Sequence, residues 1–264
     1  MLAGTELRKQ RRLSEVLTDS FNILFAHWRH LAIISVPVVV ANVALSLVIL
    51  AISQDLPTTE EDLTTDEVVE LLFLIGVVLL VSIPIIFVLQ QLVTGGAVEF
   101  LDETDKGNFI LPSEALDRAQ ANLGVLIGAT LRAYLIVALL AITIAGIPWA
   151  IARAIRWLFL AQVIMVEGKR GAEVLARSAE LVEGRWWNTF GRLIVLGLVV
   201  QIPLQFLQSA LLEAAPGVIG TVLVGATGFI YVPFGIIGLS LMYFDLRARK
   251  AANDVTGPTP EPAS

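Results

Sequence analysis

The chain is a series of long apolar runs joined by short polar or amphipathic connectors. Six runs stand out, over residues 31–53, 71–93, 123–147, 149–166, 193–212 and 218–244. About 20 apolar residues in a helix cross a hydrocarbon core of about 30 Å. The pattern therefore predicts an all-α membrane protein with six transmembrane helices arranged as three hairpins. A turn at Gly146-Ile147-Pro148 separates the third and fourth spans, and residues 213–217 separate the last two. No stretch alternates in the way a strand requires.

Ahead of the first, third and fifth spans, the period changes from continuous apolar to one apolar stripe per helical turn. In Glu173 to Leu193, EVLARSAELVEGRWWNTFGRL, one face carries Val174, Leu175, Ala179, Val182 and Trp186. The other carries Glu173, Arg177 and Glu180. Residues 13–28 repeat the design, with Leu13, Val16, Leu17, Phe21, Leu24, Phe25 and Trp28 opposite Asp19 and Asn22. Ser20 to Trp28 and Ser178 to Trp186 share one spacing, and Ser113 to Leu123 is a weaker copy with Ala115, Leu116 and Ala119. Such helices lie in a membrane interface. The expected organisation is a basic arm and interfacial helix over residues 1–30, a six-helix domain over 31–250, and a disordered tail over 251–264.

Charge sets the orientation. No Lys or Arg lies between Arg29 and Lys106, or between Arg192 and Arg247, and the loop from Gln54 to Glu70 is strongly acidic. Cationic loops stay in the cytoplasm, so both termini are expected there, with the chain in the cell membrane. The cluster Arg8, Lys9, Arg11, Arg12 resembles the start of a signal peptide, but the apolar run begins only near Leu31, so a retained span is expected. Of 264 residues, 56% are hydrophobic and 16% charged, against about 25% charged in soluble domains, which agrees with a membrane protein. Cysteine is absent, which excludes disulfides, thiolate nucleophiles and cysteine metal sites. His27 and His30 are three apart without a third ligand in view, so an interfacial role is expected rather than a metal site.

Charge inside a span is costly and is read as a functional signal. Arg132 falls within the third span, and Arg153 and Arg156 fall one turn apart in the fourth. No Asp or Glu lies deep in any span, whereas Gln201, Gln205 and Gln208 share one face of the fifth, Gln162 lies on the fourth and Asn42 on the first. These arginines and the glutamines of the fifth span could line a polar cavity for an anionic group such as a lipid phosphate. The competing reading is structural, in which the arginines hold helices together or reach back to the surface. Thr221, Gly225, Gly228 and Gly235 form a stripe of small residues suited to close packing. No nucleophile with a base, phosphate loop or zinc motif is present, so no catalytic residue, cofactor or metal is assigned. The basic segments suit anionic lipid better than nucleic acid.

Two motifs carry a resemblance. SAELVEGRWWNTFGRL contains Gly184-Arg185-Trp186-Trp187, and VPFGIIGLSLMYFDLRARK contains Phe244-Asp245-Leu246-Arg247. With these, the chain resembles the uncharacterised bacterial and archaeal multi-pass proteins grouped with the membrane domain of glycerophosphoryl diester phosphodiesterases. The likeness covers nearly the whole chain and is strongest over residues 172–250. It implies a six-helix membrane domain in which Arg185, Trp186, Trp187, Asp245 and Arg247 form an interfacial motif. It does not bring the phosphodiesterase activity, which belongs to a fused soluble domain for which this chain has no room. The expected function is that of a non-enzymatic lipid-associated or membrane-protein-assisting module in contact with the bilayer. The alternative is a transporter or channel for a small or anionic solute.

Overall fold

The computed structural model describes Leu7 and residues 9–54 and 65–255, without the side chains of residue 67 and residues 253–255. The acidic loop at 55–64, most of the basic arm and residues 256–264 of the tail lie outside them. Among the described residues all regular structure is helical. The elements are α1 (Leu13–Ala26), α2 (Trp28–Gln54), α3 (Thr65–Asp105), α4 (Pro112–Ala121), α5 (Leu123–Ala141), α6 (Ile147–Arg156), α7 (Leu160–Glu167), α8 (Ala172–Val182), α9 (Trp186–Ala214), α10 (Val218–Ala226) and α11 (Gly228–Val255). Six segments are long and apolar enough to cross a membrane: Trp28–Gln54, Val68–Asp105, Leu123–Ala141, Ile144–Glu167, Trp186–Ala214 and Val218–Ala252. That is the composition of a multi-pass membrane protein.

Their local causes are readable. The Glu15 carboxylate accepts the Arg12 backbone N–H at 2.9 Å, and Glu114 accepts that of Leu111 at 3.2 Å, so α1 and α4 start on the same device. Gly184, at φ 73°, ends the run of α8, a conformation that disfavours a side chain. The amphipathic face drawn from Val174 to Trp186 is therefore cut, and Trp186 opens α9 instead. The face of α1 also differs from the sequence pattern. Val16, Ser20, Ile23 and Leu24 are buried, while Phe21, Phe25 and Trp28 are exposed. The residues at 251–255, expected in a disordered tail, continue α11.

The fourth and sixth spans are each interrupted. The fourth breaks at residues 157–159, between α6 and α7, and the sixth at Thr227, between α10 and α11. The second is one helix of 41 residues, about 60 Å long at ~1.5 Å per residue and twice the hydrocarbon thickness.

Burial is uneven. The core gathers residues from α1, the first half of α2, the last part of α3, α4, α5, α7, α8 and α11, with Phe159 from the break before α7, and includes Val16, Ile34, Val98, Phe100, Val174, Ile237 and Tyr243. The first part of α3 instead exposes Leu72, Phe73 and Leu80. Phe206, Ile219 and Ile230 do the same on α9, α10 and α11. An exposed belt of this kind suits hydrocarbon rather than water. Helices α9 and α11 run antiparallel: Arg192 meets Asp245 at one end and Gln208 meets Thr227 near the other.

Candidate functional site

Asp245 is fully buried, at 0% exposure. One carboxylate oxygen accepts the Arg11 backbone N–H at 2.6 Å and the Arg249 guanidinium at 2.7 Å. The other accepts from Arg192 at 2.5 Å. Arg192 and Arg249 also donate to the Arg11 carbonyl, at 3.1 and 2.9 Å. Arg11 is itself buried and pairs with Asp19 at 2.9 Å. A charge this deep is tolerated only when paired and fully hydrogen-bonded, and Asp245 meets both conditions. This node ties α9, α11 and the segment preceding α1 together.

A second node lies around Glu167, the last residue of α7. The Tyr243 hydroxyl donates to it at 2.9 Å, Arg177 of α8 donates at 2.9 Å, and Arg247 lies 4.0 Å away. Lys250 reaches Glu180 on α8 at 2.5 Å. A third node fastens α3 to α4: Arg118 pairs with Glu99 at 2.8 Å, and Lys106 with Asp102 and Glu103, both at 2.7 Å. The motif residues Asp245 and Arg247 thus face carboxylate and guanidinium partners within the protein. Of the other motif residues, Trp186 donates its indole N–H to the Ala152 carbonyl at 3.3 Å, whereas Trp187 is exposed. Arg185 precedes α9 and is partly exposed.

Ser178 has a role that the sequence did not signal. Fully buried, it donates to the Arg156 carbonyl at 2.9 Å and accepts the Phe159 N–H at 3.2 Å. These groups flank the break between α6 and α7, where the helical ladder is interrupted. One hydroxyl from α8 bonds on both sides of the gap. Ser20, at the matching place in α1, instead donates to Val16 in its own helix, at 2.7 Å.

The arginines read as intramembrane are all exposed. Arg132 lies on α5, and Arg153 and Arg156 on α6, where Arg153 covers the Trp157 ring at 5.5 Å. Among the described residues no carboxylate pairs with any of the three. The glutamines do not join them. Gln201 and Gln205 are exposed, and Gln208 donates to Thr227 at 2.9 Å. The cavity that Gln208 lines contains Asn42 and Thr221 but none of the arginines. Gln162 is buried with an unpartnered carbonyl oxygen. His30 stacks on Phe100 and His27 meets the same ring edge-on, both at 5.5 Å, and no cluster of three metal-ligating residues occurs among the described residues.

Two expected outcomes follow from these contacts. Hydrogen bonds from Lys250 and then Arg177 hold the Glu180 carboxyl below the ordinary carboxylate range. A carboxyl lowered by folding stabilises the fold above its ordinary value of 4.5 and loses that contribution as pH falls through the lowered one. Glu180→Gln should therefore flatten the acid side of a melting-temperature profile and leave its slope near neutrality alone. Ser240 is buried with an unpartnered hydroxyl. Ser240→Ala should be neutral or stabilise by up to about 1 kcal/mol in a denaturant titration, since an unmet buried polar group is removed.

Compared with known families, curated proteins and solved structures, the chain matches no family model and has no significant match among curated proteins or solved structures.

Proposed function

We propose that this chain is a non-enzymatic, lipid-associated module of the cell membrane that holds anionic lipid headgroups with Arg132, Arg153 and Arg156. The observation that carries this reading is that all three are exposed and, among the described residues, without a carboxylate partner, on segments otherwise apolar enough to span. An uncompensated cation in such a segment costs several kcal/mol unless it reaches an anion or the interface. Guanidinium groups bind phosphate by paired hydrogen bonds, and aromatic neighbours favour the headgroup level. Trp149 and Trp157 flank the two arginines of α6.

In this reading α1, α4 and α8 lie along the cytoplasmic interface, each leading directly into a span, α2, α5 and α9. Three such units make up the domain, with both termini in the cytoplasm. The kinship with the membrane domain of glycerophosphoryl diester phosphodiesterases rests on Gly184 to Trp187 and Phe244 to Arg247. Transport of an anion through an arginine–glutamine path has less support, because Gln201 and Gln205 do not gather with the arginines.

The test is native mass spectrometry of the purified protein with phosphatidylglycerol and with phosphatidylcholine. The Arg153→Ala, Arg156→Ala pair should reduce phosphatidylglycerol retention roughly tenfold, with phosphatidylcholine and helix content unchanged. Unchanged retention, or collapse of the fold, would assign the arginines a structural role and end the proposal.

A further inference from the structure

A cavity of about 450 Å³ opens between α2, α9 and the α10–α11 joint. Its floor is tightly closed. A Cβ added at Gly225 would lie 2.2 Å from Val43 Cγ2, and one at Gly228 would lie 2.9 Å from Val39 Cγ2. The helices therefore touch backbone to side chain below the cavity and separate above it. The volume is that of a small-molecule site. Its wall combines apolar side chains, Ile49, Leu50, Leu212 and Val232 among them, with Asn42, Ser46, Ser53, Gln208, Thr221 and Tyr231. Among the described residues no charged side chain lines it.

The hydrogen bonds of the wall leave several acceptors open to a guest. Ser46 donates to the Asn42 carbonyl at 2.9 Å, Ser53 to Leu50 at 2.8 Å, and Thr221 to Gly217 at 3.0 Å. Each hydroxyl proton is thus committed to the residue's own helix, and the oxygens are left as acceptors. Asn42 and Gln208 likewise each commit an amide N–H, to Val38 at 2.7 Å and to Thr227 at 2.9 Å. Their carbonyl oxygens have acceptor capacity left. The Tyr231 hydroxyl and the second amide N–H of Asn42 and of Gln208 add donors, so the described wall offers both halves of a hydrogen bond and no formal charge, within segments long and apolar enough to span a membrane.

We infer that this cavity binds a neutral lipid through a free hydroxyl group, which donates to the side-chain carbonyl of Asn42 or of Gln208 while the apolar body lies against α2 and α9. Among the described residues a phosphate would find no cation here, and an ammonium no carboxylate. The site is separate from the three arginines and does not depend on them.

The experiment uses the full chain in detergent and two probes of one shape. Dioctanoylglycerol keeps the hydroxyl, and its 3-acetate caps it. Dioctanoylglycerol should raise the melting temperature saturably, and the acetate should bind roughly tenfold more weakly or not at all. Ser46→Leu fills the wall at a position whose hydroxyl serves only its own helix. It should abolish the response at unchanged helix content, and Asn42→Leu should remove the preference between the probes. The Arg153→Ala, Arg156→Ala pair should respond as the parent does, which separates this site from the anionic one. Equal effects of both probes, no effect of either, or a folded Ser46→Leu protein that still responds in full would overturn the assignment.

Discussion

Replacing Asp245 with alanine is expected to cost the fold about 3–5 kcal/mol, the usual effect of removing one partner from a buried charged cluster. The cause is what remains behind. Arg192 and Arg249 would share a pocket without an anion, and the Arg11 N–H would lose its acceptor. Denaturant titration in micelles should show a large loss, and Asp245→Asn should fall between alanine and the parent, since it can still accept hydrogen bonds. A triple change, with Arg192 and Arg249 also made methionine, should recover part of the loss, because the orphaned charges go too. A loss under about 1 kcal/mol for Asp245→Ala would mean that water reaches the node.

Gly146→Ala is expected to be the next most damaging single change, at about 2–3 kcal/mol. A Cβ at Gly146 would lie 1.9 Å from the Leu140 carbonyl oxygen and 2.9 Å from its carbon. Both are backbone atoms, so no side chain can turn aside. The turn between α5 and α6 would have to open, displacing α6 from Trp186 and Ser178. Thr143, which accepts the Gly146 N–H at 3.1 Å, provides the control. Thr143→Ala should cost only about 1 kcal/mol, the value of one hydrogen bond. Melting temperatures of the two variants would separate them, and equal values would show that the turn gives way without strain.

Hydrophobic pattern made the helices legible, since a run of about 20 apolar residues has few other uses. It put Trp28 and Trp186 at the ends of amphipathic helices, whereas they open α2 and α9. The interruption of the fourth span was not legible. Residues 149–167 contain neither Gly nor Pro, the residues that normally announce a break. The break is stabilised by Ser178, which lies on α8, and a tertiary partner leaves no mark on local periodicity. The partners of Asp245 were hidden for the same reason, at separations of 234 and 53 residues. Arg192 could have been paired with it by simple geometry, because residues flanking antiparallel spans fall level with each other. The arginine–glutamine cavity was drawn from facing spans that helix periodicity could not register. Arg153 lies over Trp157, whereas Gln208 bonds to Thr227 at the joint of α10 and α11.

The joint at Asp245 has a consequence for the order in which the protein is made. Its acceptor lies in the last helix, whereas the amide and carbonyl that it fixes belong to Arg11. A ribosome adding ~5–20 residues per second needs roughly 10–50 s to cover that interval. Throughout it, the Arg11 amide lacks the Asp245 carboxylate, although Asp19 and then Asp105 are already present for Arg11 and Leu7. Those earlier contacts can hold the leading segment provisionally, and the arrival of α11 adds the buried carboxylate that joins it to Arg192.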